Sequence, residues 1–439
     1  MLVIFSCLIF INYSRSESPN INSANTEEEL IAILQDKTKW DIDKKKTQEL
    51  DSNDDVFHAA ETLSAIRSNK GLKCLVQSIP IPVIRYYSSP RGIRKEFIVV
   101  AVARGTVDSA DIELILEQIA QRNLFYKGSI CLEVILPYES ISVILDDFIA
   151  RKKREHKNGN ITNDNITKQL ENIDEVKKFT EALAIGANNG GDDRPKIPAN
   201  LSSFTLNHPL YKSRQAAIKT NLELAQRILK ETKNLTSTDD VTKAKFFGAV
   251  DELAKVRAVE AVEVLAPVLL LQVDKEIEGL DKKYISLQKY PVGGVLAKIG
   301  IPSIWGLLDE IAKRSDNSDD YRKIACNVMT AILIAKAIPG FVNETLGKYK
   351  DNELAQIRLA KLLLLLGEDA TKINLLKPQF RNWKSTDGLF ETRAKFIAID
   401  KKNNITLEKE NGKQTTIDLS ELQKIDQNYI KELITIKRP

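Results

Sequence analysis

Apolar residues recur at helical spacing along most of this chain. Ala59, Ala60, Leu63 and Ile66 keep i, i+3/i+4 spacing, and Asn69-Lys70-Gly71 turns the chain into 72–79 before Pro80 and Pro82 stop it. A shorter helix is expected at 27–35. Helices are also expected at 109–121 and 140–154, and 211–379 is helical almost throughout. Two short apolar runs, 96–103 and 130–136, lack a decisive period. Their β-branched content favours strands, so 83–155 reads as a small α/β insertion or as irregular helix pairs.

The helical pattern repeats weakly. Segments 62–67, 252–257, 295–300 and 362–367 each end one helix, and a tight turn and second apolar helix follow each: 72–79, 258–273, 302–313 and 370–377. A further pair, 321–337 and 341–350, fits the series. Such pairs cannot bury an apolar face alone and must stack on neighbours. In 295–302, Gly300 ends one helix and Pro302 opens the next, which resembles a HEAT-type repeat junction. The run Leu362–Leu366 is expected to be buried on every face.

After Gly388 the period changes to two. Phe390, Thr392, Ala394, Phe396 and Ala398 share one face of an expected strand; Glu391, Arg393 and Lys395 share the other, which turns apolar at Ile397 and Ile399. Strands at 405–409 and 413–419 flank the turn Glu410-Asn411-Gly412. A two-residue turn would put Ile405 and Ile417 on opposite faces. A three-residue turn with left-handed Gly412 pairs them, and a common buried face favours it. That register sets Lys409 opposite Lys413, a like-charge pair that weakens a ladder. An acidic ligand explains the pair; solvent separation of two long side chains is the alternative. A closing helix is expected at 426–433.

Length and charge narrow the class. A chain of 439 residues accommodates several domains, and 64 basic against 60 acidic residues leave no whole-chain footprint for nucleic acid. The four cysteines, Cys7, Cys74, Cys131 and Cys326, show no metal or redox spacing and are expected as buried thiols. The apolar run 2–11 has the length of a signal-peptide core but lacks a basic start, and it is too short to span a bilayer. Export, periplasmic or extracellular, is therefore expected, with a cytoplasmic or N-terminally anchored protein as the alternative. The cluster Arg151–Arg154 sits at a helix end, where basic side chains complement the dipole.

Chemistry-bearing motifs are missing. His58, His156 and His208 stand outside any triad or metal pattern, and no phosphate-binding loop or nucleophile elbow occurs. The acidic pairs, such as Asp54-Asp55 and Asp192-Asp193, suit turns and helix caps. No cofactor, no metal and no catalytic residue is expected.

The C-terminal run carries a resemblance. In order it holds Arg381, Trp383, Asp387, Gly388, Phe390, Ala394, Phe396, Leu407, Lys409, Gly412, Leu422, Asp426 and Tyr429. This series resembles the Sla-type homology domain (SHD family), named from a yeast endocytic adaptor and common at the ends of exported bacterial proteins. The resemblance covers about the last eighth of the chain. It implies an SH3-like β-barrel that binds acidic or Asn-Pro-Phe-like extended peptides. It places Phe390 and Lys409 at the peptide, with barrel core as the alternative for Phe390, and Trp383 and Tyr429 in packing. Gln423 departs from the family's serine and caps a helix poorly.

The expected fold is therefore multi-domain: mostly α-helical, as a HEAT-like α-solenoid, with a small C-terminal SH3-like β-barrel. The expected segments are a signal peptide (1–18), a helical or α/β region (27–155), a flexible linker (156–210) holding a helix at 165–183, helical repeats (211–379) and the SHD-type domain (380–433). The expected function is a non-catalytic scaffold or adaptor that binds a protein or peptide partner through Phe390, Lys409 and Lys413. Two alternatives stay open. The barrel could cap the solenoid over Leu363 and Leu366, or an enzyme could be built on 83–155.

Overall fold

The computed structural model describes residues 24–36, 55–78, 97–122, 124–158, 163–188, 200–232, 239–273, 287–314, 319–369 and 373–434. The apolar start, Cys7 and the glycine cluster near 190 lie outside them. The protein is mostly helical, with a four-stranded antiparallel sheet near the C-terminus. In chain order the helices begin with α1 (Glu27–Gln35), α2 (Asp55–Ala65), α3 (Asn69–Ser78), α4 (Phe97–Gly105), α5 (Ser109–Arg122) and α6 (Phe125–Ile135). Next come α7 (Tyr138–Lys157), α8 (Asn163–Asn188), α9 (Ser203–Asn207), α10 (Pro209–Glu231), α11 (Asp240–Lys255) and α12 (Val262–Leu265). Then follow α13 (Pro291–Ile299), α14 (Ile301–Lys313), α15 (Asp319–Ile332), α16 (Ile338–Lys348) and α17 (Glu353–Leu365). The sheet is β1 (Arg381–Lys384), β2 (Glu391–Ile399), β3 (Asn404–Lys409) and β4 (Gln414–Asp418), and α18 (Lys424–Ile434) closes the chain.

The chain divides into two compact units, 1–105 with 197–213, and 106–196 with 214–439. In the first, α2 packs on α1, α3, α4 and α9. Thr26 starts α1 as a capping box, accepting from the Glu29 amide while Glu29 accepts from the Thr26 amide. In the second unit, α8 packs on α5, α6 and α7. Alternate helices then pack on each other: α11 on α13, α13 on α15, α15 on α17, and α12 on α14, α14 on α16.

Two expected strands are helices. The run 97–103 lies in α4 and 130–135 in α6. A short apolar run carries no period when several faces are covered, and Val99, Ala101, Val102 and Ala103 are all buried. The expected linker also contains structure. Within it, α8 buries Ile166, Ile173 and Val176, and Asn172 donates to the Ala120 carbonyl at 2.6 Å. The helix expected at 165–183 is present and longer, running Asn163–Asn188.

The repeated helix ends share a backbone motif. Arg67, Arg257 and Gly367 all have positive φ, at 54°, 49° and 91°. In each case the next amide reaches back five residues: Ser68 to Leu63 (3.2 Å), Ala258 to Leu253 (2.9 Å) and Glu368 to Leu363 (3.0 Å). This is the Schellman termination, which satisfies orphan carbonyls at the helix end. Gly300 differs. Its φ is 91°, and the following amide of Ile301 donates to the Val107 carbonyl at 2.8 Å instead. The run Leu362–Leu366 is not buried all round: Leu362 and Leu363 are, while Leu365 is 42% exposed in the last turn of α17.

The sheet is a meander in the order β1-β2-β3-β4. Among the described residues no strand pairing joins β4 to β1, so the sheet is open. The chain beyond β4 returns to the β1 side, where the Gln423 amide donates to the Lys384 carbonyl (2.9 Å) and the Thr386 amide to the Glu421 carbonyl (2.8 Å).

Candidate functional site

The β3–β4 hairpin has the register that the apolar pattern favours. Ile405 pairs with Ile417 and Leu407 with Thr415. The turn is Glu410-Asn411-Gly412 with Gly412 at φ 78°. The Gly412 amide donates to the Lys409 carbonyl at 2.9 Å, and the Lys409 amide donates to the Lys413 carbonyl at 2.9 Å. Lys409 and Lys413 are therefore directly opposed. Both leave the sheet on the face that carries Ile405 and Leu407, because residues two apart in a strand share a face.

The cations of the sheet differ in their partners. On the outer face cations and carboxylates are paired across strands: Lys395 with Glu408 (2.7 Å), Arg393 with Glu410 (2.8 Å) and Lys384 with Glu391 (3.0 Å). On the inner face no carboxylate among the described residues pairs with Lys409 or Lys413. Lys409 is half-buried and Lys413 exposed.

The expected face of β2 is right up to Phe396 and wrong beyond it. A register shift between Phe396 and Ala398 sets Phe396 opposite Leu407 but Ala398 opposite Thr406 and Ile399 opposite Ile405. This bulge inserts one residue and exchanges the faces, so Ile399 packs on the core and Ala398 is exposed. The apolar pair Ile397 and Ile399 was the sequence trace of it.

Phe390 packs part-buried against the core of the sheet. It follows a turn in which Asp387 accepts from the Leu389 amide (2.9 Å) and from the Ser385 hydroxyl, and Gly388 has φ 75°. That hydroxyl holds the Asp387 carboxyl below its usual range. Leu389, at the tip, is 89% exposed.

Most of the motif residues build the interior. Trp383 and Tyr429 meet edge to face at 5.7 Å, and the Trp383 indole donates to the Ala394 carbonyl at 2.7 Å. The Arg381 guanidinium lies 4.2 Å from the Tyr429 ring centroid and pairs with Asp426 (2.8 Å) and Glu353 (3.2 Å). Asp426 also accepts from the Lys384 amide at 3.1 Å. The start of α18 is held by the Gln423 carbonyl, which accepts from the Asp426 and Gln427 amides, and by the Gln427 side chain, which donates to the Leu422 carbonyl at 2.8 Å. It begins at Lys424, ahead of the expected 426.

This core extends onto α17. Ile357 and Leu354 belong to it, and buried Glu432 of α18 accepts from Arg358 (2.8 Å) and Lys361 (2.6 Å). Burial pushes the Lys361 ammonium down against that pairing. α18 thus packs on α17, whose Ile357 and Leu354 join the core of the sheet, while the expected Leu363 and Leu366 are not part of that core.

Known proteins supply no guide here. No family model, curated protein or solved structure matches the chain.

Three features elsewhere were invisible in the sequence. A cleft of about 370 Å³ between α7, α8 and α16 is lined by Glu139, Glu181, Glu344, Tyr138 and Asn343, among others. The Asn343 amide donates to Glu139 at 2.7 Å. The lining suits a cationic or amine-bearing group, and among the described residues no cluster of His, Cys, Asp and Glu has the arrangement to hold a metal. In the first unit, Ser202 approaches His58 Nδ1 at 3.4 Å, although the two are far apart in sequence. The serine proton goes to Glu61, which also accepts from the Ser202 amide (3.0 Å) and the Thr205 hydroxyl (2.7 Å). The cluster ties the cap of α9 to α2. Glu133 of α6 is buried, no donor among the described residues reaches its Oε1, and burial pushes its carboxyl up to about 7.

Cys74 and Cys131 are buried and Cys326 is half-buried, and none of the three forms a disulfide among the described residues. Burial pushes the Cys74 thiol up to about 11, which removes thiolate reactivity near neutral pH. Among the described residues no single helix is long and apolar enough to cross a membrane. One pair, Asp319–Ile332 with Ala335–Lys348, has the length and composition but bends by 107°.

Proposed function

We propose that this protein is a non-catalytic scaffold whose C-terminal sheet docks an acidic extended peptide, with Lys409 and Lys413 as the charged contacts. One observation carries the reading: the lysines oppose each other without carboxylate partners, while the cations of the outer face are paired. Like charges opposed across a ladder cost stability, and an acidic ligand turns that cost into affinity. Phe390 lies part-buried on the same side, packed against the core of the sheet. The SHD-type resemblance supports the same side of the sheet, and the SH3-like barrel belongs to that resemblance. The alternate packing of α11 to α17 supports a HEAT-like stack as the scaffold.

The test is a display screen of extended peptides against the full chain. Enrichment of acidic sequences is expected, with binding that falls as salt rises and drops about tenfold in the Lys409→Ala/Lys413→Ala variant. A screen that enriches no acidic sequence rejects the reading.

A second reading, that the sheet is a structural end piece, rests on the buried Glu432–Arg358–Lys361 cluster and the core shared with α17. Truncation after residue 377 then lowers the melting temperature sharply with no partner lost.

A further inference from the structure

The ladder geometry identifies which backbone groups of β4 are unpaired. In an antiparallel pair, residues alternate between exchanging hydrogen bonds with the partner strand and pointing their amide and carbonyl away from it. Lys409 and Lys413 are a bonded pair, and the Leu419 amide donates to the Asn403 carbonyl at 3.0 Å in the same phase. Thr415 and Ile417 therefore face β3, while the backbone groups of Gln414, Thr416 and Asp418 point outward. Among the described residues β4 pairs with β3 alone. The strand holds no proline and no bulge, two devices that blunt an exposed edge.

We infer that the peptide docks by strand addition, lying antiparallel along the outer edge of β4 and extending the sheet to a fifth strand. The inference rests on the docking reading above and specifies its mode. Backbone bonds to Gln414 and Thr416 supply affinity independent of sequence. Side chains supply selection. Positions opposite Lys413, Thr415 and Ile417 share the inner face, so the peptide carries a carboxylate opposite Lys413 and apolar or β-branched residues opposite Thr415 and Ile417. Antiparallel direction places the acidic residue at the C-terminal end of the segment. At the other end Asp418 disfavours a second acid. A second copy of this chain fits less well: antiparallel pairing of two β4 strands about Thr416 sets Lys413 across from Leu419 and leaves the lysines without carboxylates.

The probe is a labelled peptide of sequence Val-Thr-Val-Thr-Asp-Glu between glycine-serine flanks, titrated against the full chain. Thr416→Pro removes an outward amide while the bonds to β3 come from Thr415 and Ile417, and proline is tolerated at such edge positions. Binding is expected to weaken at least tenfold in Thr416→Pro and in Lys409→Ala/Lys413→Ala, and little in Thr416→Ala. In the unaltered protein, saturating peptide is expected to slow exchange of the Gln414 and Thr416 amide hydrogens at least tenfold. This second measurement serves where the proline variant fails to fold. Unchanged exchange at Thr416, or a folded Thr416→Pro variant that binds like the parent, overturns strand addition. If the lysine pair still matters in that case, docking stands without it. Binding that ignores both changes, or no binding at millimolar peptide, overturns docking itself. Protection of β4 that grows with protein concentration alone assigns the edge to a second copy and overturns the inference.

Discussion

Arg381 on β1 and Asp426 on α18 pair at 2.8 Å inside the C-terminal core, and Asp426 at the same time accepts the Lys384 amide. One carboxylate thus fixes the first strand against the closing helix. Removing it leaves the Arg381 guanidinium, with little solvent, only Glu353 as a partner, and takes the acceptor from the Lys384 amide. Asp426→Ala is expected to cost about 3 kcal/mol in urea unfolding, the scale for breaking a buried pair. Arg393→Ala, which removes an exposed cross-strand pair, is expected to cost below about 0.5 kcal/mol. Equal costs would mean that the buried pair holds nothing together.

The sheet borrows a wall from α17. A fragment of residues 378–439 lacks Ile357, Arg358 and Lys361 and is expected to give poorly dispersed amide resonances. A fragment of 351–439 keeps them and is expected to fold cooperatively. Equal dispersion in both spectra would show that the sheet stands alone.

Two helix-end glycines separate backbone strain from steric clash. At Gly367 a Cβ meets nothing within 4 Å, so Gly367→Ala is expected to cost only the positive φ, about 1 kcal/mol. At Gly300 a Cβ would sit 2.2 Å from the Val107 carbonyl oxygen. Gly300→Ala is expected to cost about 3 kcal/mol, since strain and overpacking add. Urea midpoints of the two variants check the order.

Glu133 sets a pH dependence. Its carboxyl titrates near 7 in the folded protein and near 4.5 when freed. The native state therefore holds a proton that the unfolded state releases, and stability falls as pH rises through that window. The loss approaches about 3 kcal/mol above pH 7, at about 1.4 kcal/mol for each pH unit between the two values. Glu133→Gln is expected to flatten the profile and leave the variant more stable than the parent at pH 8. Parallel profiles from pH 4 to 8 would show that Glu133 is solvated.

The sequence alone determined what local periodicity and turn chemistry can encode. It specified helices of strong period, the three-residue turn at Gly412, the pairing of Ile405 with Ile417 and hence the facing of Lys409 and Lys413. A buried face tolerates no one-residue slip, so alternation and turn length together carry the register. Tertiary structure decided the rest. Whether 97–103 forms strand or helix depends on which neighbours cover it, and those lie far away in the chain. The bulge after Phe396 depended on which of Ile397 and Ile399 found the core. The sharing of Ile357, Arg358 and Lys361 with the sheet, and the meeting of Ser202 with His58 and Glu61, required distant segments to converge. Long-range contact leaves no local period, and only the folded chain shows which apolar faces and which charges meet.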